Sequence, residues 1–381
     1  MQRENALPDQ VIPFPFGVNI HFVEPRQREL DLIHSAGFRF IRMDVTWSTV
    51  ERRRGEYDLS GYDMLMEALE SRDIRPLFIL DYGNPLYDDG LAPHTDRGRA
   101  AFAEFAYRAA ARFRGRGILW EIWNEPNIHF WKPQPNVDDY AKLAVETAES
   151  IRQADPDAIV VAPATSGIDL VFVEECFQRG LLEHIDVVSV HPYREAPPET
   201  VSSEYSRLRQ LVDAYAPAGK TVPLISGEWG YTTTKVSLEQ QAMYLVRQFL
   251  TNMLIGFKLS IWYDWRDDGT DPKEPEHHFG TVGFGLDPKP AYLAVKTLVN
   301  QLYGYRLVGR LHVGGEEDYV LLFERRGSRK IAAWTTAEDH YVDLPEGYAL
   351  SDSVDMVGNS IRRNSRRKIR LSSSPTYASA P

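Results

Sequence analysis

Trp120-Glu121-Ile122-Trp123-Asn124-Glu125-Pro126-Asn127 is a short apolar run that closes on polar residues. Pro126 has no amide hydrogen to give, so a ladder of strand hydrogen bonds stops there. In an extended chain successive side chains point to opposite faces. That places Glu121, Trp123 and Glu125 on one side and Ile122 and Asn124 on the other. Glu125 then sits at the end of the run, and Glu121 lies deeper, where it reads as a buried, paired structural acid.

Seven runs of the same texture accompany Ile118–Trp123. They are Gly17–Phe22, Phe38–Val45, Pro76–Asp81, Ala158–Pro163, Ile185–Val190, Pro223–Ser226 and Phe257–Tyr263. Helix-like segments such as Asp96–Phe113, Val137–Ala154 and Leu238–Leu254 lie between them, with apolar residues at three- and four-residue spacing. Asp96 and Ser237 are placed as helix N-caps, Ser237 with Gln240 three positions on. Eight continuously apolar runs, each followed by a helix, predict an α/β fold of the (β/α)8 TIM-barrel type, with both faces of every strand buried. A doubly wound sheet is the rival, but Gly17-Val18-Asn19 is no dinucleotide-binding turn.

The texture changes after the segment Pro290–Leu302. Short alternating runs follow at Tyr319–Glu324, Lys330–Thr335, Tyr341–Leu344 and Lys368–Leu371, separated by Gly, Asp and Asn turns. This predicts a small C-terminal antiparallel β-sandwich over residues 305–381, behind a barrel over 1–304. The basic stretch Arg362–Arg370 reads as a solvated hairpin in an otherwise acidic chain. With 381 residues and a net charge of −11, a nucleic-acid partner is disfavoured. The single cysteine, Cys176, rules out an intrachain disulfide scaffold. No apolar run reaches membrane-spanning length, so no membrane partner is expected. Met1-Gln2-Arg3-Glu4-Asn5 lacks a secretory apolar segment, which predicts a cytoplasmic location. Nothing in the sequence reads out an oligomeric state.

In a barrel, the C-terminal ends of all strands share one rim, where active sites are built. Here those ends carry His21, Arg42, Asp81, Asn124, Glu125, His191, Tyr193, Glu228 and Trp262. Glu125 alone could be a helix-start acid, and Glu228 a turn acid paired to an arginine. Two glutamates ending the fourth and seventh runs together suggest chemistry. Cleaving a glycosidic bond with retention needs one carboxylic acid to protonate the leaving oxygen and one carboxylate to attack the anomeric carbon. Arg42 is the available cation and Tyr193 the available neutral donor; Arg42 could instead bind a uronate. Gly227 and Gly230 beside Glu228 leave room for close approach of backbone or substrate.

Asn124-Glu125-Pro126 on the fourth run, Glu228 on the seventh, Arg42 on the second, His191 and Tyr193 on the sixth and Trp262 on the eighth together resemble clan A of the retaining glycoside hydrolases. Family 39 is most similar, with family 5 next, and the resemblance covers residues 14–303. It implies a carbohydrate substrate, oligomeric or polymeric and β-linked, and no cofactor. By position it implies Glu125 as general acid/base, Glu228 as nucleophile and Asn124 as the partner of the sugar 2-hydroxyl. Arg42 and Tyr193 would orient the nucleophile. His191 would form a polar wall, Trp262 an aromatic floor, and His21 and Asp81 substrate-facing positions.

Trp47, Tyr82, Trp131, Tyr231, Trp229 and Trp265 all follow strands. Such aromatic faces suit sugar rings, although amphipathic aromatics also cap barrel loops; Trp47, Trp131 and Tyr231 are assigned to substrate. The stretch Arg266–Phe284 holds Asp267, Asp268, Asp271, Glu274, Glu276, His277 and His278 without any repeating ligand spacing. It reads as a substrate-shaping loop, with Glu276 touching the sugar and no metal bound. Two other readings compete: a non-catalytic carbohydrate-binding barrel, and a metal-dependent barrel hydrolase. The latter would want His-x-His on the first run, where His21 is followed by Phe22-Val23.

Overall fold

The computed structural model describes residues 6–362 and 365–380. Met1–Asn5, Pro381 and two positions of the basic stretch, Arg363 and Asn364, lie outside the described residues. Eight parallel strands close into a barrel in sequence order: β1 (Phe16–Asn19), β2 (Phe40–Thr46), β3 (Arg75–Asp81), β4 (Leu119–Ile122), β5 (Ile159–Ser166), β6 (Val187–His191), β7 (Leu224–Trp229) and β8 (Ser260–Trp262). β1 pairs with both β2 and β8, which completes the closure. The expected (β/α)8 barrel is therefore observed. Helices at Asp96–Arg112, Val137–Ala154 and Leu238–Ile255 fall where the periodicity put them. Ser237 caps the last of these with a reciprocal box to Gln240. Asp96 is not a cap: Thr95 is, accepting from the amide of Gly98, and Asp96 opens the helix as its first acidic residue.

The barrel interior is layered. An apolar plug of Phe40, Leu77, Leu119, Ile159, Val161, Val187, Ile225, Leu259 and Ile261 fills its lower half. Gly17 makes room for it, since a Cβ there would collide with the Ile261 side chain. Above the plug the inward positions turn polar, with Asn19, Arg42, Glu121, Ser189 and His191 all buried. The alternate positions of each strand, such as Ile41, Trp120 and Val188, join the larger apolar layer under the helices. The site therefore rests on a rigid floor.

Beyond the helix Pro290–Leu302 the chain turns to antiparallel strands. These are β9 (Arg306–Arg310), β10 (Asp318–Arg325), β11 (Ser328–Thr335), β12 (His340–Asp343), β13 (Ser353–Val354), β14 (Lys368–Leu371) and β15 (Thr376–Ser379). Five of them form one sheet in the order β13-β15-β11-β10-β9, and β12 and β14 form a separate pair that lies against it. Strand alternation gives the larger sheet two apolar faces. Leu321, Phe323, Ala332 and Trp334 join the barrel's outer core, while Val320, Leu322, Ile331 and Ala333 pack with Val342 and Ile369. Part of the basic stretch is β14, where Lys368 pairs with Asp343 and Arg370 with Asp339.

A buried ion pair joins the two parts. Arg247 donates to both Glu199 oxygens at 2.7 Å, and the Trp334 indole also donates to Glu199 at 2.7 Å. Glu199→Leu would leave the buried Arg247 charge without its counterion, with only the Ser373 carbonyl still accepting from it, and the Trp334 indole N–H without an acceptor, a loss of about 3–5 kcal/mol. Urea denaturation checks this, with Glu199→Gln, which keeps an acceptor, expected to lose less.

Candidate active site

Glu125 stands just past β4, and the chain reaches it through left-handed backbone at Trp123 (φ 66°) and at Glu125 itself (φ 47°). Such conformations are uncommon for side chains this large and cluster at functional sites. They override the alternation expected from the sequence and bring Asn124 and Glu125 to the same region. The Trp123 amide donates to Leu80 and the Glu125 amide to Ala164, both at 3.0 Å, which fixes the turn. Burial pushes the Glu125 carboxyl above its usual range, against the opposing pull of Arg42. Its Oε1 hydrogen-bonds His191 Nδ1 at 3.0 Å. The fully buried His191 ring is pushed down to about 4, by burial first and by Arg42 second, so it is uncharged near neutral pH.

Glu228 lies on β7 where the register against β8 shifts between Ser226 and Trp229. A local irregularity of this kind re-aims a side chain. Arg42 donates to Glu228 Oε2 through a short ion pair, and the Tyr193 hydroxyl donates to Oε1 at 2.7 Å. Arg42 also donates to Glu121 through Nε at 2.9 Å and Nη2 at 2.5 Å, to Asn124 at 2.7 Å and to Asn19 at 3.3 Å. Burial disfavours the guanidinium charge, but Glu121 and then Glu228 more than compensate, so Arg42 stays cationic. Asn124 passes the contact on, donating to the Tyr82 hydroxyl at 2.9 Å. One oxygen each from Glu125 and Glu228 and one nitrogen of His191 lie within 4.8 Å of one another. Two acids with different surroundings thus share one pocket: one buried beside a neutral ring, one clamped by a cation and a phenol.

Several residues assigned to substrate are instead buried supports. Arg42 is 1 % exposed and its donors are directed at protein acceptors, which excludes a uronate role. His191 lies behind Glu125 and reaches no surface. Trp262 is also fully buried, with its indole donating to the Phe279 carbonyl. Parity explains this: Ile261 belongs to the interior plug, so Trp262 faces outward and Tyr263 inward. Tyr263 is the aromatic that faces the site, packing edge-on against His21 and Tyr193 and donating to Glu276 at 3.0 Å. Asp81 is sealed off, its carboxyl pushed well above the usual range by burial and by neighbouring Asp44.

Trp47, Trp131 and Tyr231 are buried as well. Trp47 stacks on Tyr87 and donates to Glu51, Trp131 packs on Trp123 and Tyr140, and Tyr231 donates to the Ala196 carbonyl. These aromatics brace loops from beneath and offer no face to a sugar. Gly227 and Gly230 serve packing too: a Cβ at Gly227 would collide with Ser189 Oγ, and one at Gly230 with the Tyr263 carbonyl. Tyr193 donates to Glu228 and Asn124 accepts from the same Arg42 that clamps it, while His21 and Glu276 both contact Tyr263. Tyr263 and Asp264 were missed, although the inward parity of Ile261 was the signal for Tyr263.

A family model for cellulases, glycosyl hydrolase family 5, matches residues 11–269, a span that contains both glutamates and all eight strands. The chain belongs to glycosyl hydrolase family 5. Among curated proteins, a β-xylosidase of Geobacillus stearothermophilus is 36 % identical over 95 residues. That match spans 24 % of this family 5 chain and 18 % of the xylosidase. Among solved structures, a family 39 glycoside hydrolase from Bacteroides cellulosilyticus WH2 superposes with a TM-score of 0.86 at 24 % identity, over 99 % of this chain and 82 % of that one. A family 39 β-xylosidase from Caulobacter crescentus gives 0.73 at 19 % identity, over 99 % and 97 %. The clan A resemblance holds, with family 5 supplying the sequence model and family 39 enzymes sharing the fold of barrel and sheet together. Among the described residues, no helix is long and apolar enough to cross a membrane.

Proposed function

We propose that this protein hydrolyses a β-linked glycoside with retention of configuration, Glu228 acting as nucleophile and Glu125 as acid/base. The observation that carries the reading is that one oxygen of Glu125 lies within 4.8 Å of one oxygen of Glu228. A direct attack needs carboxyl groups roughly 5–5.5 Å apart, whereas an inverting enzyme needs about 6.5–9.5 Å to seat a water between them. Glu125 gives its proton to the glycosidic oxygen as that bond breaks, and Glu228 forms a bond to the anomeric carbon. Glu125, now a carboxylate, then takes a proton from the water that displaces Glu228. Arg42 and Tyr193 hold the attacking carboxylate in one rotamer, and Asn124 offers a polar group next to it.

The 95-residue likeness to a β-xylosidase makes aryl β-xylosides the first substrates to test. Proton NMR of the earliest product decides the stereochemistry: β-anomer appearing first is expected, and α-anomer first would overturn the reading. The pH dependence follows from the Glu125 environment. A carboxyl whose pKa is raised stays protonated to higher pH, so kcat/KM should hold through mildly acidic pH and fall as pH climbs past that raised value. Glu125→Gln should flatten this limb on a substrate whose leaving group needs no proton.

A further inference from the structure

His21, just past β1, meets Asp264, just past β8, at the seam where the barrel closes. One donor atom from each, together with one from Asp268, lies within 4.8 Å of the other two. The Asp264 carboxylate is fully buried, and neither of its oxygens has a hydrogen-bond partner. An ionised carboxylate is costly to bury in that state unless a cation meets it. Its charged partner is His21, whose Nε2 forms an ion pair with Asp264 Oδ2 at 3.4 Å. That is long for a hydrogen bond. It is the separation kept by two ligands of a tetrahedral ion, where bonds of about 2.1 Å give edges of about 3.4 Å.

We infer that His21, Asp264 and Asp268 form a mononuclear site for a divalent transition ion, zinc being the best fit, which ties the first and last strands of the barrel to the loop Arg266–Phe284. One imidazole and two carboxylates suit zinc better than calcium or magnesium, which take oxygen ligands in larger number. His21 and Asp268 line a cavity of about 370 Å³, which supplies an entry path. Neighbouring Asp267 is already committed, accepting from Lys289 and from the Gly280 amide, so the site has three protein ligands. No local spacing in the sequence could announce it, because His21 follows the first strand of the barrel and the two aspartates follow the last.

The test uses chelator-stripped full-length Glu228→Gln protein, because Glu125, His191 and Glu228 are a second trio of potential ligands and the substitution removes one of them. Titration with zinc chloride by calorimetry should show one saturable site of micromolar or tighter affinity, with calcium and magnesium showing none. Cobalt(II) in place of zinc should give the strong visible absorption of a tetrahedral ion. Asp268 is exposed, so Asp268→Asn should fold normally and bind zinc at least roughly 100-fold more weakly, more than the usual cost of a lost outer-shell partner. His21→Gln should abolish binding. Absence of saturable binding, or an affinity unchanged in both variants, would overturn the assignment.

Discussion

A Glu228→Gln protein is expected to lose turnover on aryl glycosides by roughly 10⁴-fold or more, the scale seen when a covalent nucleophile is removed. Its stability should change little, by about 1 kcal/mol. The amide oxygen introduced at this position could still accept from Arg42 and Tyr193, and Arg42 keeps its buried partner Glu121. The pairing of large kinetic and small thermal effects separates a reacting group from a supporting one. Glu228→Gly adds a stereochemical readout. Azide fits the space left by the carboxylate and should restore part of the rate, giving a glycosyl azide of inverted configuration. Glu125→Ala with azide should give the retained azide, since the glycosyl-enzyme still forms on Glu228. Near-normal activity of Glu228→Gln would remove the nucleophile assignment, and azide products of swapped configuration would exchange the two roles.

Arg42→Met is expected to strike both stability and activity. The guanidinium is the hydrogen-bonded cation for Glu121 and Glu228, two acids from strands three places apart, and it also reaches Asn19 and Asn124. Glu121 is fully buried, and its second oxygen is already without a partner. Removing Arg42 leaves that charge stranded, a loss of about 3–5 kcal/mol. Lysine is no substitute, because a single ammonium does not reproduce a planar fork of five donors. Urea denaturation with an unchanged m-value would show the stability loss. The double variant Arg42→Met/Glu121→Gln should regain much of the stability, because the stranded charge is gone. It should remain catalytically poor, because Glu228 is still unclamped. Recovery of turnover in the double variant would show that Arg42 acts on folding alone.

The architecture was legible because the barrel strands begin as apolar runs and carry polar residues towards or just past their C-terminal ends, as Leu119–Ile122 leads to Asn124 and Glu125 and Leu224–Trp229 holds Glu228. The site was legible to the extent that its residues are chain neighbours of those ends. Trp123 and Glu125 were less so, since nothing marks two non-glycine residues for left-handed backbone. Trp47 and Trp265 illustrate the ambiguity of aromatics: each donates to a buried glutamate, Glu51 and Glu29, and Glu29 is 236 positions away from its tryptophan. Arg42 was identified as a cation near the nucleophile, but its exclusion from substrate follows only once Asn19, Glu121 and Asn124 converge on it. Trp262 was placed as the aromatic floor by the resemblance, whereas the inward parity set by Ile261 belongs to Tyr263.

The two-faced C-terminal sheet has a consequence for how the molecule could be remodelled. Its inner surface completes the casing of the barrel's helices, with Trp334 reaching in to a glutamate of the segment between β6 and β7. Grafting another barrel onto this sheet, or trimming the sheet to shorten the chain, would therefore break a shared interior and not merely a tether. Barrel and sheet would have to be exchanged as a single cassette.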